Sequence, residues 1–199
     1  MKEKTTFFRI LIGIIAGVAL NILPMYVVQY TLQLPFFMDT LGSIFVAFSL
    51  GGLPAIICAT ISQFVMCVIE QYTSLIILMY VITVYGAIGI VCFFKKSLST
   101  SESVFYTALI LFFISVLTVF EMCIVGGLVN ALCIYVQNIT GDQVQDNPAT
   151  SSFQLDLLKT GISELPAYIL SRLPGNLIER PLITIMGFGC HRLYQKISH

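Results

Sequence analysis

Several ionisable and amide side chains stand in stretches that are otherwise almost wholly apolar, and such groups mark a ligand, a pathway or an internal pair. Asp39 lies in Pro35-Phe36-Phe37-Met38-Asp39-Thr40, where its carboxylate can cap a following helix or accept a hydrogen bond from a ligand. Glu121 sits near the middle of the apolar run Val104 to Tyr135 and needs a partner, a proton or a wet cavity, and Asn130 follows nine residues later in the same run. The densest polar set is Arg172, Asn176, Glu179 and Arg180. Asn176 and Arg180 are four apart and share a face; Arg172 joins them only if Pro174-Gly175 does not interrupt the helix, and Glu179 can pair with Arg180 or Arg172. The arginines could hold a ligand carboxylate or phosphate, with lipid headgroups as the plainer alternative. Tyr80, Tyr85, Phe120 and Tyr135 could line an aromatic slot for a planar compound. Glu70, at an outer boundary, reads as an ordinary solvated group.

Catalytic chemistry finds no such support. There is no P-loop, G-x-S-x-G or H-E-x-x-H pattern, and both histidines, His191 and His199, fall near the end of the sequence. Six cysteines are spread singly through apolar segments without a close pair, which points to neither a disulfide framework nor a zinc site. The chain therefore reads as no enzyme, with no catalytic residue, metal or cofactor of its own, and any ATP-powered action needs another polypeptide.

The elements that must position these groups follow from composition. Of 199 residues, 57% are hydrophobic and 10% charged, with zero formal net charge. That leaves most helix surface without polar cover, so the bilayer is the natural solvent, and nucleic-acid binding is disfavoured. A crossing needs roughly 20 apolar residues. Six spans are predicted: Phe7 to about Gln29; Leu41 to Leu50, extended by Pro35 to Met38; Pro54 to about Ile69, after the Gly51-Gly52-Leu53-Pro54 turn; Leu75 to Phe94; Val104 to about Tyr135; and Leu177 to Leu193. The fold class is thus an all-α integral membrane protein, a six-helix bundle forming a single domain over residues 1–199.

Charge gives the direction. Lys2, Lys4 and Arg9 precede the first span, Lys95 and Lys96 follow the fourth, and Arg192 and Lys196 follow the sixth. With six spans all three groups fall on one side, so both termini are expected in the cytoplasm of a multi-pass cell-membrane protein. The first 30 residues lack a convincing cleavage site and read as a retained helix. A polar link, 97–103, places Glu102 near the first turn of the fifth span. A long segment, about 136–172, carrying Asp142, Asp146 and Asp156, falls outside together with the loops near 30–38 and 70–74. Within it Phe153, Leu157, Leu158, Ile162, Leu165 and Ile169 recur at helical spacing, predicting a short amphipathic helix that breaks near Gly161 or Pro166. Gly13 and Gly17, and Ala55 and Ala59, are small residues one turn apart, which serve close packing inside the bundle or docking of another membrane protein. Gly86 and Gly126 each stand one turn from a larger residue, Ile90 and Asn130.

The stretch Leu34-Pro-Phe-Phe-Met-Asp-Thr-Leu-Gly42, a short apolar helix and then Gly51-Gly-Leu-Pro-Ala55 resemble the second and third spans of substrate-binding S components of energy-coupling factor transporters. Leu173-Pro-Gly-Asn-Leu-Ile-Glu179 is similar to the Pro-Phe-Asn-Leu-Ile-Lys stretch of the riboflavin-type members, with Gly175 and Glu179 as departures, the latter arguing against a flavin. The resemblance implies a high-affinity binding subunit for a vitamin or related micronutrient. Such a subunit topples in the membrane to deliver its cargo once joined to a transmembrane coupling protein and two ATPase subunits. It also implies Gly13, Gly17, Ala55 and Ala59 as the partner-docking positions, and Phe36, Asp39, Tyr85, Asn130, Glu164 and Asn176 as the ligand pocket. The Leu-Pro-Phe-Phe-Met-Asp-Thr segment also looks like membrane input regions of bacterial signalling proteins, so a sensor or assembly factor on the same scaffold is the alternative reading.

Overall fold

The computed structural model describes residues 2–32, 36–69, 75–100, 103–140 and 148–198, and Glu70, Glu102, Asp142, Asp146 and His199 lie outside them. Among the described residues regular structure is entirely helical: α1 (Lys2–Tyr26), α2 (Leu41–Leu50), α3 (Gly52–Ile69), α4 (Val81–Ser99), α5 (Val104–Thr140), α6 (Pro148–Lys159), α7 (Glu164–Ser171) and α8 (Leu173–Ser198). A π-helical turn, Val27–Thr31, ends α1, and a 3-10 helix, Leu75–Tyr80, leads into α4. Four segments are long and apolar enough to cross a membrane: Phe7–Gln29, Gly52–Ile69, Leu78–Ser99 and Val104–Thr140. Apolar side chains cover their outer surfaces, as on α5, where Phe105, Phe112, Phe120 and Ile124 are exposed.

The core lies around α2, whose residues Leu41 to Phe48 are all buried. A helix apolar on every side is one surrounded on every side, and α1, α3, α4 and α8 all pack against α2. At 10 residues it is about 15 Å long, half a hydrocarbon core. The expected extension through residues 36–38 is not helical, because Met38 takes a left-handed conformation (φ +52°) that no helix continues. The α1–α2 crossing is the closest in the bundle: a methyl group on Gly42 would overlap the Gly17 carbonyl, and one on Gly17 would meet Val46 and Cys58 side chains at 2.6 and 2.7 Å. Gly13 faces Leu50, and Ala55 and Ala59 are buried. All four small residues thus pack within the chain.

Other boundaries shift for identifiable reasons. The fifth span continues past Tyr135 to Thr140, giving 37 residues and about 55 Å, so the expected start of the outer segment at 136 is still helix. The single amphipathic helix becomes two, α6 and α7, separated at Gly161, whose φ of +88° suits glycine. Pro166 is accommodated in the first turn of α7, where its missing N–H costs nothing. Pro174 stands likewise in the first turn of α8, so that helix starts at Leu173 and runs to Ser198, with Pro181 inside it.

Candidate functional site

Two connected polar groups occupy the interior. The first is built on Asn21, one turn from the Gly17–Gly42 crossing. Its Oδ1 accepts the backbone N–H groups of Gly42 and Ser43 at 2.6 and 3.1 Å, and its Nδ2 donates to Ser43 Oγ and Ser62 Oγ, both at 2.8 Å. The first turn of a helix leaves its N–H groups without intrahelical partners, and α2 starts inside the bundle, so a side chain from α1 supplies the missing acceptor. Counting from the Gly51 turn, Ser62 lies roughly 16 Å along α3. A small cavity of about 10 Å³, room for one water molecule, opens here between Asn21, Ser43, Ser62, Gln63 and Asp39.

The second group is anchored on α8. Glu179 and Arg180, each 3% exposed, form an ion pair. The Glu179 carboxylate also accepts the N–H groups of Phe37 and Met38 at 3.4 and 3.2 Å, and Arg180 Nη1 donates to Thr40 Oγ1 at 2.8 Å. The irregular segment before α2 is thereby clamped by α8, as irregular backbone at membrane depth requires, and Met38 is held in its left-handed conformation, a strain of order 1–3 kcal/mol. Asp39 lies within electrostatic reach of both Glu179 and Arg180.

About two turns before Arg180, Arg172 stands at the joint of α7 and α8. Its guanidinium lies 5.3 Å from the Tyr80 ring centre and donates to the Tyr80 hydroxyl at 3.4 Å, while that hydroxyl donates to Asn130 Oδ1 at 2.8 Å. Asn176 Nδ2 donates to the Arg172 carbonyl at 2.9 Å and reaches Cys123 Sγ at 3.7 Å. Glu121 lies within electrostatic reach of Arg180, and Cys123 within reach of Arg172, Arg180 and Glu121. Two glycines make room: a methyl at Gly86 would strike the Glu121 carboxylate, and one at Gly126 would stand 3.1 Å from Arg172 Nη1.

This group has unused hydrogen-bonding capacity. Both Glu121 carboxylate oxygens, Arg172 Nε and Arg180 Nε are shielded from solvent and have no partner. Buried polar atoms are almost always satisfied, and Ser115 and Thr118 of α5 obey that rule locally by donating to carbonyls of their own helix. Among the described residues no group of three or more His, Cys, Asp or Glu side chains is placed to hold a metal ion.

Of the expected pocket residues, Asn130 and Asn176 come together around Arg172, and Asp39 lies beside Glu179 and Arg180. The remainder stand apart. Tyr85 shares a 2.7 Å hydrogen bond with Thr60 between α3 and α4, Phe36 packs against the apolar core, and Glu164 is exposed in the first turn of α7. The aromatic slot does not form, since Phe120 and Tyr135 are 58% and 63% exposed on α5 while Tyr80 turns inward. His191 packs against Phe48 and Phe188 and bonds Ser49 at 3.1 Å. Sequence reasoning passed over Asn21, Thr40, Ser43 and Ser62, and the role of Gly86 and Gly126 in seating charged side chains. An asparagine in the middle of an apolar run was the available signal. Compared with family models, curated proteins and solved structures, the chain matches none.

Proposed function

We propose that this chain is the membrane-embedded, substrate-binding subunit of an ATP-driven uptake system for a vitamin or related micronutrient. A separate transmembrane coupling protein and two ATPases drive its toppling and the inward release of the cargo. The observation that carries this reading is the set of unpartnered buried atoms on Glu121, Arg172 and Arg180. In a chain with apolar outer helices such atoms are expensive, and a bound solute that supplies their missing partners offsets the cost. In this reading there are six crossings: α2 with the segment before it forms the second and α8 the sixth, its charged residues turned inward. Both termini are cytoplasmic. A coupling protein approaching α1 and α3 meets exposed side chains such as Ile12, Ile15, Leu53 and Ile57, because the small residues beside them are already packed inside the bundle.

The test is mass spectrometry of small molecules retained by the gently purified full chain, joined to uptake assays with the coupling protein and ATPases co-expressed. A retained micronutrient, lost on Arg172→Ala together with uptake, supports the proposal. Ligand-free protein without an uptake phenotype, in specific complex with a kinase or an assembly protein, would replace it by the sensing alternative.

A further inference from the structure

Three carboxylates, Asp39, Glu121 and Glu179, lie within electrostatic reach of one guanidinium, Arg180. Hydrogen bonding locates the excess. Glu179 receives Phe37 N–H, Met38 N–H and Arg180, whereas neither oxygen of Glu121 receives any donor. Arg180 is committed to Glu179 and Thr40, and Arg172 to Tyr80, so neither closes the gap. The carboxylate itself fills the place where Gly86 lacks a side chain, and a methyl there would displace it. An unpaired carboxylate at this depth is met either by a proton or by a cation that also donates hydrogen bonds.

Resting on the uptake reading, we propose that the solute is an organic cation whose positively charged nitrogen is received by Glu121, with the unused Nε–H groups of Arg172 and Arg180 directed at acceptor atoms elsewhere on it. This excludes simple anions, which would meet Glu121 uncompensated. It also makes Glu121 the residue that sets charge specificity, while Tyr80, itself bonded to Asn130, holds the Arg172 guanidinium in position.

The experiment uses the purified full chain in lipid nanodiscs. It is exposed to an equimolar mixture of thiamine and spermidine as cations, biotin, pantothenate and nicotinate as anions, and riboflavin and nicotinamide as neutral compounds, and the retained species are quantified. Wild-type protein should enrich a cation at least about tenfold over every anion and neutral compound, a discrimination of about 1.4 kcal/mol. Glu121→Gln should lose that enrichment while its ligand-free melting temperature stays level or rises, because the uncompensated charge is gone. Gly86→Ala, which shifts the carboxylate without removing it, should weaken retention while the protein remains folded. Enrichment of an anion or a neutral compound, or equal retention by Glu121→Gln, would overturn the assignment and leave the uptake reading standing. Enrichment of nothing would also overturn the cation assignment, whereas the uptake reading falls separately, on the absence of any retained small molecule together with the absence of an uptake phenotype. Equal thermal stabilisation of wild type by sodium chloride alone, absent in Glu121→Gln, would reassign Glu121 to an inorganic cation.

Discussion

Glu179 and Arg180 are neighbours in sequence, yet they act on another part of the chain, the segment that leads into α2. Removing one member of a buried pair leaves the other charge uncompensated, at a cost of about 3–5 kcal/mol, whereas removing both together is far milder. Arg180→Met alone should therefore lower the melting temperature in detergent strongly, and the double variant Arg180→Met/Glu179→Gln should recover part of the loss, since the glutamine oxygen still accepts one of the Phe37 and Met38 N–H groups, which reach different carboxylate oxygens. Equal loss in single and double variants would mean that Arg180 acts chiefly through Thr40. Asn21→Leu makes a parallel case: it orphans the N–H groups of Gly42 and Ser43 inside the bundle, at about 1–3 kcal/mol for each unsatisfied group. At this scale the sequence was informative where a charge interrupted an apolar run, and Asp39, Glu121, Arg172 and Arg180 were all visible that way. Their partners were not, because Thr40 with Arg180 and Tyr80 with Asn130 are separated by 140 and 50 residues and meet only through packing.

The shortest element, α2, organises the others. Its length already told that it could not cross a bilayer alone, whereas its burial on all sides came to light only in the structure. What composition could not tell is that its start is held by side chains from α1 and α8 instead of by a helical extension. The Gly17–Gly42 crossing makes the arrangement possible, since only residues without a side chain let two backbones come so near. Gly42→Ala should be among the most damaging single substitutions in the chain. Overpacking a tight core costs about 1–3 kcal/mol, and here the obstacle is backbone, which cannot rotate away. Gly175→Ala, where a methyl would touch nothing within 4 Å, is the matched control and should leave thermal stability nearly unchanged. The same geometry alters the meaning of a bulky residue at Gly17: Gly17→Leu tests folding of the bundle before it tests docking of a partner. Small residues spaced one turn apart signal close helix contact in either case, and sequence spacing alone cannot distinguish a contact inside the chain from one between chains.

For the whole molecule, orientation decides whether the polar interior can serve uptake. From Ser62 to the Gly51 turn is roughly 16 Å, and from Arg180 to His191, which packs beside the end of α2, the distance along α8 is similar. The polar groups are thus buried at about mid-depth, and Arg172 and Asn130 stand nearer the face that carries α6 and α7. If the basic residues Lys95, Lys96, Arg192 and Lys196 face the cytoplasm, the face with α6 and α7 is external, and a solute reaches Arg172 first. In a chain otherwise stripped of cysteine, a single cysteine at Thr160, exposed just after α6, should react with a membrane-impermeant maleimide on intact cells. Single cysteines at Thr100 and Lys196, exposed at the ends of α4 and α8, should react only after permeabilisation. The reverse pattern would turn the arginines toward the cytoplasm and make the chain an exporter or an internal sensor, even if every contact in the bundle stayed as it is. Labelling at Thr100 and Lys196 from opposite sides would be more damaging still, since α4 and α8 could not then run in the same direction through the bilayer.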